Sequence, residues 1–134
     1  MLYLEPEIRM IQIIRTKNAP AAIGPYSQAI LSKNTLYCSG QIAINPETGD
    51  LVLDNITNET TQVMKNISAI LKAADMDFSN VVKCSIFMKS MDDYAEINKV
   101  YAMSFINNPP AREAVEVSAL PKNVNVEISV IAVK

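Results

Sequence analysis

Four residues of this chain pair a chemically useful side chain with a neighbourhood that would hold it still: Arg112, Glu127, Tyr26 and Ser39. Arg112 follows Pro109-Pro110-Ala111 and opens an expected strand. Proline fixes the approach of the backbone, so the guanidinium leaves from a defined point, and its planar fork suits a bidentate grip on a carboxylate. Glu127 sits between Val126 and Ile128 in a run with a two-residue period. A carboxylate placed there faces either water or a pocket, and in a pocket desolvation would make it a better general base near neutral pH. Tyr26 lies in Gly24-Pro25-Tyr26, a bend that would steady an aromatic ring. Ser39 precedes Gly40, whose missing side chain leaves room for a close approach. Each also has an ordinary reading: a surface arginine, a solvated strand glutamate, a packing tyrosine and a plain strand serine.

Other chemistries are excluded by what the sequence lacks. The chain contains no histidine, so Ser-His-Asp and Cys-His catalysis, histidine acid–base chemistry and histidine-ligated metals are all ruled out. Cys38 and Cys84 are far apart in sequence and cannot make a tetrahedral zinc site unaided; they read as buried thiols. Neither a metal nor a cofactor is expected. The glycines at 24, 40 and 49 form no phosphate-cradling loop. A net charge of −2 without a clustered basic face argues against a nucleic-acid partner. With no membrane-length apolar run and no secretory pattern at the start, the reading is a cytoplasmic protein, an organelle matrix being the alternative.

The elements that must carry these residues fit one domain of 134 residues. Residues 1–7 read as an N-terminal extension and 8–134 as the domain. Strands are expected at 8–15, 28–32, 35–43 and 81–89, the last with Val82, Cys84, Ile86 and Met88 on one face. Val63, Met64, Ile67, Ile70, Leu71 and Ala74 recur at three- and four-residue spacing, which predicts a helix over 57–74 capped from Asp54, Asn55 or Thr57. A second helix is expected to start at Ser90 and end near Phe105. Residues 112–117 and 124–133 read as the arms of a hairpin turning at Pro121-Lys122-Asn123. About six strands and two helices make an α+β fold with a mixed sheet. Two helices cover only one face of it, yet several strands are apolar on both, so a second copy of the chain is the simplest cover for the other face.

In combination these segments resemble the RidA family, also called YjgF or the L-PSP endoribonuclease family. The matching stretches are Asn18-Ala19-Pro20 through Ala29, Ser39-Gly40-Gln41-Ile42, and Asn45-Pro46-x-Thr48-Gly49. They continue with Val81-Val82-Lys83, Asp93-Tyr94 with Asn98 and Tyr101, Pro110-Ala111-Arg112, and Leu120-Pro121-Lys122 with Val126-Glu127-Ile128. The resemblance implies a chorismate-mutase-like fold assembled as a homotrimer with an inner barrel and active sites in the clefts between subunits. It also implies hydrolysis of 2-imino acids such as 2-iminopropanoate and 2-iminobutanoate to 2-oxo acids and ammonia, without a cofactor. Arg112 would then bind the substrate carboxylate and Glu127 would orient and deprotonate water. Tyr26, Ser39 and the backbone at Ala114 would contact substrate. Ala114 stands where the family often has cysteine, and Ser129 where many members have a second glutamate. A non-catalytic trimer that binds small carboxylates is the competing reading; an endoribonuclease fits the acidic, histidine-free composition poorly.

Overall fold

The computed structural model describes residues 11–134; the extension expected at 1–7 and the start of the first strand lie outside them. Six strands form one sheet: β1 (Ile11–Ile14), β2 (Ala29–Ser32), β3 (Thr35–Gln41), β4 (Val81–Met88), β5 (Ala111–Glu116) and β6 (Val126–Val133). Their spatial order is β1-β2-β3-β6-β4-β5. Only the β4–β5 pair is parallel, so the sheet is mixed as expected.

The hairpin expected between residues 112–117 and 124–133 does not form. β6 lies between β3 and β4, and β5 pairs in parallel with the far side of β4. Burial explains the choice. β6 buries Val126, Ile128, Val130 and Ala132 to 2% exposure or less, and only a central, helix-covered position offers that. β5 carries Arg112, Glu113 and Glu116, charges that an edge tolerates and a centre does not.

Both helices lie over one face. α1 (Ile56–Ala73) starts where the Asn55 side chain accepts from the Asn58 N–H at 2.8 Å. It ends at Asp75, left-handed at φ 57°, with the Met76 N–H bonded back to the Leu71 carbonyl. Its buried stripe of Val63, Ile67, Ile70 and Leu71 meets Leu36, Ile86 and Ile128 of the sheet. Removing one of these side chains to alanine would cost about 2–5 kcal/mol.

The second helix is shorter than its sequence pattern. Ser90 caps a single 3₁₀ turn, Met91–Asp93, and α2 proper runs Tyr94–Ala102. In β4 an irregular step between Val81 and Lys83 turns Val81 inward and leaves Val82 48% exposed, which reverses the facing expected for Val82. The helix-free face carries Ile11, Ile13, Tyr37, Val115 and Val133, all large apolar side chains in contact with solvent in the single chain. No helix among the described residues is long and apolar enough to cross a membrane.

Candidate active site

Glu127 lies near the start of β6, where Phe87 of β4 faces it across one ladder and, through Phe87, Val115 of β5. All three belong to the helix-free face. On the other side β3 departs from regular pairing: Cys38 faces Val130 and Gln41 faces Ile128, so Ser39 and Gly40 together oppose Ser129. This bulge opens a cavity of about 540 Å³ whose walls include Tyr26, Ser39, Gly40, Lys122 and Glu127. Half-burial at the cavity wall pushes the Glu127 carboxyl above its ordinary range.

The loop that delivers Tyr26 is fixed by one buried side chain. The Gln28 amide accepts from the Thr16 N–H at 2.8 Å and donates to the Pro20 carbonyl at 2.8 Å and the Thr16 carbonyl at 3.0 Å. Gly24, at φ +132°, supplies a turn that a side chain would strain. Tyr26 remains half-exposed at the cavity rim. The Ser39 hydroxyl donates to the Ser27 carbonyl at 2.6 Å, so its proton is engaged and its lone pairs are what it can offer a ligand.

Arg112 is elsewhere. It is the second residue of β5, opposite Cys84, whose other neighbour is Val130, and these three belong to the helix-covered face. Its guanidinium donates to the Asn98 Oδ1 at 2.7 Å and to the Tyr94 hydroxyl at 2.7 Å, and lies 4.9 Å from the centre of the Tyr101 ring. Tyr94, Asn98 and Tyr101 follow one another at helical spacing along α2, so one helix face holds the cation on three sides. Two of five guanidinium N–H groups are engaged there, leaving three for a carboxylate. The arginine borders a separate cavity of about 480 Å³ walled by Ala102, Phe105, Pro109 and Pro110. Ala114, two residues further, packs against the core.

The single chain therefore brings Glu127, Tyr26 and Ser39 into one cavity and keeps Arg112 apart from them. The resemblance includes Tyr94, Asn98 and Tyr101 among its matching residues without giving them a role; their common helical stripe points to one. Sequence reasoning passed over Glu59, a fully buried carboxylate on α1. Glu59 accepts from the Asn125 N–H at 2.8 Å, the Asn125 amide at 2.7 Å and the Val126 N–H at 3.2 Å, clamping the backbone just ahead of Glu127. Nothing at the level of pattern separates it from a solvated helix glutamate.

Both cysteines are free and buried, and burial pushes the Cys38 thiol up to about 12, so neither is a ready nucleophile. Among the described residues no group of three or more His, Cys, Asp and Glu side chains is placed to hold a metal ion.

A family model described as Endoribonuclease L-PSP matches residues 16–134. A RutC family protein of Pyrococcus horikoshii is 50% identical, over 93% of this chain and 99% of its own length. The human protein named 2-iminobutanoate/2-iminopropanoate deaminase is 45% identical over 92% of this chain and 90% of its own. Among solved structures, Escherichia coli TdcF with bound serine superposes with a TM-score of 0.88 at 36% identity, covering 92% of this chain and 98% of that one.

Proposed function

The chain belongs to the Endoribonuclease L-PSP family, the group that the sequence resembles as RidA, and from that premise we propose that it hydrolyses reactive 2-imino acids to 2-oxo acids and ammonia. A 2-imino acid presents a carboxylate beside an electrophilic carbon. The fork of Arg112, aimed by Tyr94 and Asn98, would hold that carboxylate and offset its charge, easing the approach of water to the neighbouring carbon.

Glu127 would act on the water. As the water oxygen bonds to carbon, the C=N electrons move to nitrogen and the carboxylate takes a water proton. It returns that proton to nitrogen, giving a neutral carbinolamine. It then takes the hydroxyl proton and passes it to the amino nitrogen as the C=O bond forms and the C–N bond breaks, releasing ammonia and the 2-oxo acid. Such positioned acid–base help contributes about 10²–10⁴-fold. Ser39, with its proton engaged on Ser27, would accept from the N–H of the imine. Tyr26 would close the pocket beside it, and the backbone at Ala114 would add a contact near Arg112.

The observation that carries this reading is the separation of Arg112 and Glu127 by the sheet. One copy cannot bring them to one substrate, but a second can, by setting its β5 edge against the cavity of the first. The apolar helix-free face supplies the surface for that contact, and three copies closing face to face would make a trimer with an inner barrel. The human deaminase supports the imine as substrate and TdcF with serine supports a small amino-acid-like ligand. The test is ammonia release from 2-aminoacrylate generated in situ by a dehydratase. Accelerated release that disappears in Arg112→Ala is expected; no acceleration by the unaltered protein would leave only a carboxylate-binding module.

A further inference from the structure

Gly40 has no conformational need to be glycine: among the described residues the positive-φ glycines are Gly24 and Gly49 alone. What forbids a side chain at position 40 is space. A β-carbon built there would meet the side chain of Glu127, coming 2.9 Å from its Cδ, 3.1 Å from its Cγ and closer still to its Oε1. The Glu127 side chain lies across Gly40, in the notch that the β3 bulge makes opposite Ser129.

We infer that Gly40 is a positioning residue for the proposed hydrolysis, its absent side chain being the seat of the Glu127 carboxylate. This deepens the reading of Glu127 as the base and rests on it. The clash of a β-carbon falls on the far end of a flexible side chain, with no backbone within 4 Å among its three nearest contacts. Relief therefore comes from swinging the carboxylate off its seat while the sheet stays as it is. A base displaced by about 1 Å loses on the order of 10²-fold in rate. Seated there at the cavity wall, the Glu127 carboxyl is half-buried and raised, and a swing into the cavity would expose it further.

Gly40→Ala tests this, measured for ammonia release from in situ 2-aminoacrylate, for affinity toward 2-oxobutanoate and for melting temperature. The expected result is kcat lowered about 10- to 100-fold. Affinity for the oxo acid, held by Arg112, stays unchanged, and the acid limb of the kcat profile moves toward the ordinary carboxylate range. Wild-type kcat with an unmoved acid limb would overturn the inference. Should Gly40→Ala melt early, Gly40→Ala in a Glu127→Ala background decides the matter. Destabilisation that vanishes when the glutamate is truncated supports the seat, and destabilisation that persists refutes it. Glu127→Gln separates the two levels: if that variant turns over normally, the assignment of Glu127 as base is wrong, whereas an inactive Glu127→Gln beside a fully active Gly40→Ala rejects only the seat.

Discussion

Arg112 and Glu127 stand on opposite faces of one sheet. Arg112 shares its face with Cys84 and Val130, beneath the helices, while Glu127 shares the other with Phe87 and Val115. β4 separates the two strands that carry them, and its side chains alternate, so no rotamer of either residue can bring them together across it. In the proposed hydrolysis, where Arg112 would fix substrate and Glu127 would activate water, the two would form one site only between copies.

Glu127 links activity and stability to pH in opposite senses. Desolvation raises its carboxyl in the folded protein, so turnover should fall as acid protonates it, at a pH above that of an ordinary glutamate. A carboxyl raised on folding favours the native state most when protonated, and that contribution is lost as pH rises through the folded value. Glu127→Gln should therefore melt higher than wild type at neutral pH, with the gain disappearing below the usual carboxylate range, while turnover is lost throughout. Thermal melts of both proteins across pH check the sign.

The two acceptors that hold the Arg112 guanidinium can each be removed singly. Tyr94→Phe removes one hydrogen bond to a cation and Asn98→Ala the other. Each is worth about 1–2 kcal/mol, or roughly tenfold in affinity. Titration with 2-oxobutanoate should show that weakening in each variant, and the acid limb set by Glu127 should not move.

Glu59 should matter to the fold more than its distance from the cavity suggests. Glu59→Ala leaves the Asn125 and Val126 N–H groups without their acceptor in the interior, at about 2–4 kcal/mol. A denaturant series on this variant should show a lowered midpoint with an unchanged slope.

Much of this was legible in the residues. The helical stripe from Val63 to Ala74 and the period-two run from Val126 to Val133 each carry one unambiguous repeat, and both elements fall where the repeats place them. The pairing of β5 was hidden because sequence adjacency suggests a hairpin, and only competition for the buried centre of the sheet sends β6 between β3 and β4. At the site, Gly40 next to Ser39 signalled a close approach, but the approaching group comes from a strand distant in sequence, where no local pattern points. The cradle on α2 was hidden for the same reason: Tyr94, Asn98 and Tyr101 acquire a purpose only once a strand has laid Arg112 over them.

The most direct measurement is complementation between two inactive variants. Arg112→Ala and Glu127→Gln are produced in the same cell at equal levels, so that mixed oligomers form, and ammonia release from in situ 2-aminoacrylate is compared with each variant alone. Random assembly pairs an intact Arg112 with an intact Glu127 at about a quarter of the interfaces of a closed ring, so roughly a quarter of wild-type activity should return. A mixture as inactive as its parents, in oligomers shown to contain both chains, would contradict a site shared between copies.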